Sequence, residues 1–234
     1  MLLANLRKKV LEANLELVRR GLVLSTFGNA SGVDREKGLI VIKPSGVPYD
    51  GMKAEDLVIT DLGGKIVEGA LRPSADLPTH AALYRAFPSI GGIAHTHSEY
   101  ATAWAQARRP IKCFGTTHAD YFHGAVPVTQ GMNRRDIAGE YEENTGAAIV
   151  RRFKKLDPLA IPAVLVANHG PFAWGETAAM AAENAWMLEA AARIAYLTVN
   201  INSGATAVGK ALHDKHFLRK HGKQAYYGQP KEMK

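Results

Sequence analysis

The apolar positions of this chain switch between two periods, and the switches mark out its elements. Over residues 3–20, Leu6, Val10, Ala13 and Leu17 recur at intervals of three and four, the stripe of an amphipathic helix, and Gly21 is placed to stop it. Residues 28–33 are small and polar on one face and read as strand or tight loop. Residues 39–43 form a short apolar run halted by Pro44-Ser45-Gly46, which predicts a strand. Residues 58–60 and 65–68 flank Asp61-Leu62-Gly63-Gly64, a hairpin signal. Helical spacing follows at 79–87, at 98 to about 107, at 136–156 with Asp136 as its cap, and at 177–200. Two more strands are expected: 93–97, after the pair Gly91-Gly92, and the continuously apolar 163–167, which runs into Asn168-His169-Gly170-Pro171. Residues 111–127 read as irregular or short-stranded. A linker, 203–209, leads into a basic tail.

No repeat, low-complexity tract or domain boundary breaks this pattern. The expected fold is α/β, a single domain over residues 1–234, with a mostly antiparallel central sheet flanked by helices. A hydrophobic content of 47% and a charged content of 22% suit a globular protein with a real core. The net charge of +7 is partly local, since Arg219, Lys220, His221, Lys223, Lys231 and Lys234 crowd the tail. No helix-turn-helix, zinc-finger or ribonucleoprotein pattern accompanies it, so nucleic acid is not expected as a partner. A small anionic substrate accounts for the positive field as well as surface solubility does. No run approaches the roughly 18 apolar residues that span a bilayer, and charges return at Arg7, Lys8 and Lys9, which argues against a signal peptide. Cys113 is the only cysteine, so no intrachain disulfide forms. A cytoplasmic protein without a membrane partner is expected.

Chemistry concentrates around His95-Thr96-His97. In an extended chain both imidazoles point the same way, about 7 Å apart, and a slight bend brings them to one metal ion. His169 sits just after another strand. Three histidines from two strand ends leave one coordination position open, the layout of a catalytic zinc site. Asp76, between Pro73 and Pro78, offers a weaker oxygen ligand. His80, His118 and His123 are also available, so composition alone does not select the trio. Lys43-Pro44-Ser45-Gly46, Gly28-Asn29 and Ser74-Ala75 place amides and short polar groups where an anion binds. Asp120 and a tail tyrosine, in Tyr226-Tyr227-Gly228, make a workable base–acid pair.

The chain resembles the class II aldolase/epimerase family, and within it the L-ribulose-5-phosphate 4-epimerases. The resemblance is carried by residues 10–15, by Val41-Ile42-Lys43-Pro44-Ser45-Gly46-Val47, and by Phe87-Pro88-Ser89-Ile90-Gly91-Gly92-Ile93-Ala94-His95-Thr96-His97-Ser98. It continues through Gly115-Thr116-Thr117-His118-Ala119-Asp120-Tyr121-Phe122, His169-Gly170-Pro171-Phe172-Ala173-Trp174-Gly175 and residues 214–222. The resemblance implies a class II aldolase-like three-layer fold and a phosphorylated ketopentose as substrate. L-ribulose 5-phosphate and D-xylulose 5-phosphate would be interconverted by retro-aldol cleavage of C3–C4, rotation of the aldehyde and re-aldol. It implies Asp76, His95, His97 and His169 as ligands of a divalent metal, usually zinc. Gly28, Asn29, Lys43, Ser45, Gly46, Ser74 and Ala75 would line the substrate and its phosphate. Asp120 and Tyr227 would be the acid/base pair, with Thr116, Glu142 and His216 nearby. It also implies a homotetramer, in which a tail from about 210 to 234 reaches a neighbouring subunit's site. One departure stands out. Close relatives have Ser-Ser-Asp where this chain has Ser74-Ala75-Asp76, so the phosphate cradle lacks a hydroxyl and weaker phosphate binding is expected.

The sequence leaves three alternatives. A class II sugar-phosphate aldolase resembles the chain, but typically carries a Glu in the region of Asp76. A hydrolase with His-x-His in a TIM barrel needs more βα units than the chain shows. A non-catalytic adducin-head-like domain would lack the three histidines and Asp76.

Overall fold

Alternation along the strands sorts the core into two layers. In the computed structural model, which describes residues 1–227, seven strands form one sheet. They are β1 (Asn29–Asp34), β2 (Leu39–Ile42), β3 (Val58–Asp61), β4 (Ile66–Glu68), β5 (Gly92–His95), β6 (Ala163–Leu165) and β7 (Pro171–Gly175). The spatial order is β4-β3-β2-β1-β5-β7-β6, and every neighbouring pair is antiparallel. Side chains in a strand point to opposite faces by turns. Val41, Ala94 and Ala173 therefore face one layer, while Ile40, Ile42, Ile93, Phe172 and Trp174 face the other.

The first layer is built from α1 (Ala4–Arg19), α3 (Glu99–Gln106) and α7 (Ala178–Ile201). The second holds α2 (Leu77–Ala86) and α6 (Tyr141–Phe153). Two short helices, α4 (Thr116–Ala119) and α5 (Arg134–Ala138), lie in the connections, and α8 (Lys210–His221) closes the described chain. The result is the expected antiparallel sheet between helical layers. The end of the expected tail, residues 228–234 with Gly228, Lys231 and Lys234, lies outside the described residues.

Two local devices fix the strands that carry the site. Buried Asn14 on α1 donates to Ala30 O at 3.0 Å and accepts from Ala30 N at 2.8 Å, pinning α1 to β1 beside Asn29. A Cβ on Gly92 would lie 2.3 Å from Ala178 N, so only glycine lets β5 approach the start of α7.

Three expectations are corrected. The helix expected over 136–156 is two helices, α5 and α6, parted at Gly139 and Glu140. Asn133 caps the first, accepting from Arg135 N and Asp136 N, and Asp136 answers from the third position of the helix as a capping-box partner. The strand expected over 93–97 ends at His95, because the chain turns there towards Ser98, which precedes α3. Residues 111–127 contain α4 and a single bridge between Ile111 and Val126. Strand β7 had no reading of its own. Its leading Pro171 looks like a stop, yet the strand pairs with both β5 and β6.

Candidate active site

The histidines meet because β5 and β7 are neighbours. His95 is the last residue of β5 and lies in register with Phe172, just past the β6–β7 turn that carries His169. Asn168 takes a left-handed φ of 62° in that turn, a conformation asparagine tolerates. Ring centroids are 5.0 Å apart for His95 and His97, 4.8 Å for His95 and His169, and 5.1 Å for His97 and His169. One nitrogen from each lies within 4.8 Å of the others. Two Zn–N bonds of about 2.0–2.1 Å at the tetrahedral angle span about 3.4 Å, so side-chain rotations that close the cluster by about 1.4 Å bring all three onto one ion.

The protonation pattern suits a metal. His95 Nδ1 is 2.9 Å from Pro171 O, a bond that places the proton on Nδ1 and frees Nε2. Phe172 stacks on the His95 ring at 4.1 Å. His169 Nδ1 is buried and has no hydrogen-bond partner among the described residues. Burial, then its neighbours His95 and His97, push His169 down to about 4, against a smaller pull from Asp76. Burial and His95 likewise lower His97. Neutral imidazoles are the form a metal takes.

Asp76 immediately precedes α2, yet its side chain makes no capping bond. Its Oδ2 accepts from Asn29 Nδ2 at 2.7 Å and from Ser74 Oγ at 3.4 Å. Burial works to raise its pKa, but His95, His80, the Asn29 bond and His169 outweigh burial and hold it low. Asn29 Oδ1 is buried without a partner among the described residues. Gly28, with φ of 107°, brings the chain against β5: a Cβ there would sit 3.1 Å from His95 O.

The expected phosphate cradle is a pair of loops laid antiparallel. Ser45 N donates to Arg72 O at 3.0 Å and Ser74 N to Lys43 O at 2.9 Å. Those two amides are therefore occupied, while Gly46 N and Ala75 N have no backbone partner among the described residues. Lys43 is buried, with its ammonium donating to Val47 O at 2.7 Å and Pro44 O at 3.3 Å and lying 4.6 Å from the Tyr49 ring. Burial lowers it to about 8. Tyr49 OH in turn donates to Gly28 O at 2.7 Å, tying the cradle to β1.

Asp120 belongs to a second group. It follows α4, and its carboxylate is held by Arg219 in a fork, Nε to Oδ1 at 3.0 Å and Nη2 to Oδ2 at 2.8 Å. His216 Nδ1 adds a contact at 3.1 Å to Oδ1, and His221 Nε2 donates to Asp120 O at 2.9 Å. The Tyr227 ring lies 4.7 Å from the Arg219 guanidinium. Burial acts to raise the Asp120 pKa, and Arg219 and His216 more than reverse it. Thr116 opens α4 and its carbonyl accepts from Asp120 N at 2.9 Å. Glu142 lies in the first turn of α6, its carbonyl accepting from Thr79 Oγ1 at 2.6 Å. Among the described residues no hydrogen bond, ion pair or ring contact links Asp120 or Tyr227 to Asp76 or the three histidines. The described chain thus presents two groups with no such contact between them.

Four participants were missed in the sequence. Tyr141, whose ring is 6.1 Å from that of His169, was hidden inside the helix expected over 136–156. Phe172 and Tyr49 looked like ordinary apolar residues, and Arg219 looked like one more charge in a basic tail.

Comparisons with known proteins follow the same lines. Residues 8–196 match the family described as Class II Aldolase and Adducin N-terminal domain. The chain is 51% identical over 224 residues to "L-ribulose-5-phosphate 4-epimerase UlaF" of Salmonella paratyphi A, and equally to that of Salmonella typhi, covering 96% of this chain and 98% of each relative. Among solved structures it is similar to an L-fuculose 1-phosphate aldolase, with a TM-score of 0.77, 27% identity, and coverage of 91% of this chain and 94% of the other. An L-fuculose 1-phosphate aldolase from Glaciozyma antarctica PI12 shares the fold at a TM-score of 0.76 and 20% identity, over 95% of this chain and 84% of that one.

Proposed function

We propose that this chain, which belongs to the class II aldolase and adducin N-terminal domain family, is a metal-dependent L-ribulose-5-phosphate 4-epimerase. The observation that carries the reading is its half-identity, over nearly its whole length, to proteins of that name. His95, His97 and His169 would hold a divalent metal, with Asp76 as a fourth ligand, and the nitrogen-rich set favours zinc. When bound, the ion supplies a Lewis acid that polarises the ketose oxygens.

Epimerisation at C4 cannot run by enolisation alone, since C4 is not adjacent to the C2 carbonyl. Cleavage of C3–C4, rotation of the aldehyde and bond re-formation invert that centre. The protein must then do three things. It must remove and return the proton of the C4 hydroxyl, keep the phosphorylated fragment while it turns, and exclude water. Asp120 and Tyr227 would move the proton, one on each face of the aldehyde. The free amides of Gly46 and Ala75, with the hydroxyls of Ser45 and Ser74, would hold the phosphate. Buried Lys43 would shape that loop and add positive charge from within it. The unpaired Asn29 Oδ1 would accept from a substrate hydroxyl.

Since Asp120 and Tyr227 lie apart from the histidines within one chain, a second copy would deliver them. A homotetramer with a site between subunits is the assembly proposed, with residues 210–234 as the reaching segment of a single domain. The exposed apolar residues Ile194, Tyr196, Leu197 and Ile201 on α7 support an interface there. No helix among the described residues is long and apolar enough to cross a membrane, and the buried single cysteine fits the cytoplasm we propose. The same proposal places the substrate in arabinose catabolism.

The likeness to an L-fuculose 1-phosphate aldolase favours one second reading, a lyase. Product analysis separates them. Incubation with L-ribulose 5-phosphate yields D-xylulose 5-phosphate under the first reading and free aldehyde and ketone fragments under the second.

A further inference from the structure

We propose that Arg219 is a positioning residue that fixes Asp120 and Tyr227 as one unit; this rests on the epimerase reading above. The guanidinium makes two contacts at once. Its edge forks onto both carboxylate oxygens of Asp120, and the Tyr227 ring lies 4.7 Å from its centre. Tyr227 N also donates to Arg219 O at 3.0 Å. A planar fork sets both the position and the plane of a carboxylate, which a single ammonium cannot do. The same plane offers a ring a flat surface to pack on. One side chain therefore bridges carboxylate and phenol, with His216 Nδ1 also at the carboxylate and the Lys220 ammonium 5.1 Å from the ring. That matters in a reaction where the aldehyde turns and meets first one proton carrier and then the other.

Arg219 also decides when Asp120 is ionised. The groups acting on that carboxylate are Arg219, His216 and Lys220 of α8, together with Tyr121; Tyr227 packs on Arg219, His221 of α8 bonds the Asp120 backbone carbonyl, Glu183 of α7 bonds Tyr121 OH, and His118 of α4 is turned to Gly124 O. Burial raises the Asp120 pKa, and the Arg219 bond is the largest influence lowering it. Loss of the guanidinium moves the pKa up, so the acidic limb of the kcat profile moves to higher pH.

The test uses the metal-loaded enzyme and the variants Arg219→Gln and Arg219→Lys. Arg219→Gln is expected to lower kcat roughly 10- to 100-fold with KM within about twofold, and to move the acidic limb to higher pH. Arg219→Lys should return the limb towards its original place, since the charge is back. It should recover kcat only in part, since the fork is not. A kcat and acidic limb unchanged in Arg219→Gln, or a loss confined to KM, overturns the proposal. Full recovery of kcat by lysine overturns the positioning role and leaves only charge. An inactive parent enzyme would sink the epimerase reading instead. In that case the carbon-13 carboxyl resonance of Asp120, assigned by difference from Asp120→Asn, still reports its pKa, and an unchanged value in Arg219→Gln overturns the clamp.

Discussion

Asn29 donates its amide to the Asp76 carboxylate at 2.7 Å while its own Oδ1 stays buried and unpartnered among the described residues. A buried acceptor left unpaired costs about 1–3 kcal/mol, and under the proposed function a substrate hydroxyl would relieve that cost. Asn29→Ala should therefore raise KM roughly 10- to 100-fold. A poorly held fragment should also escape, so free glycolaldehyde phosphate per turnover should rise. Steady-state kinetics with product quantification checks both; a loss of rate with unchanged KM and no leakage would remove Asn29 from the substrate contacts.

Ligands and proton carriers should separate by metal content. His97→Ala and His169→Ala should purify with substoichiometric metal, measured by plasma emission spectroscopy, because each removes one of three clustered nitrogens. Asp120→Asn and Tyr227→Phe should keep a full complement and lose about 100-fold or more in kcat. Metal loss in either of the latter would turn a proposed catalyst into a ligand.

The Asn14 bracket links helix, strand and site. Asn14→Ala leaves the N–H and C=O of Ala30 without their partners in the interior. The expected cost is about 1–3 kcal/mol, read as a lower urea midpoint with an unchanged slope. Asn29, the residue before Ala30 on β1, should then bind substrate less well, so KM rises with the loss of stability.

Most of the fold was legible because the strands alternate and the helices carry clear stripes. Val41 between Ile40 and Ile42 announces a strand covered on both faces. The break at Gly139 was not legible, since the apolar spacing runs on through a residue whose effect depends on the Asn133 cap. Strand β7 was hidden by Pro171, which occupies its first position. His95 and His97 were visible as a pair, but the match of His95 with Phe172 across β5 and β7 is a long-range pairing that no local pattern encodes. Arg219 was read as surface charge for the same reason, since Asp120 lies 99 residues away.

Acid should destabilise the metal-free protein over a definite window. Burial lowers His80 to about 3 and His118 to about 4, from an ordinary 6.5. His80 Nε2 and His118 Nδ1 are buried without partners among the described residues, so neither accepts a second proton comfortably. Between pH 6.5 and about 4 the unfolded chain binds these protons and the native state does not. Stability is thus full above pH 6.5 and falls as pH drops, by about 1.4 kcal/mol per pH unit for each group. Urea titrations of chelator-treated protein should show this, and His118→Gln should flatten the slope. A pH-independent midpoint from 6.5 to 4 would contradict the assignment.

The metal-loaded chain should invert C4 of a ketopentose phosphate without releasing the fragments. Purified protein, reconstituted with zinc and incubated with L-ribulose 5-phosphate, should convert it to an equilibrium mixture with D-xylulose 5-phosphate, followed by phosphorus NMR. Glycolaldehyde phosphate should stay below detection. Accumulation of free glycolaldehyde phosphate in place of the epimer, or no turnover by protein carrying a full metal complement, would contradict the account.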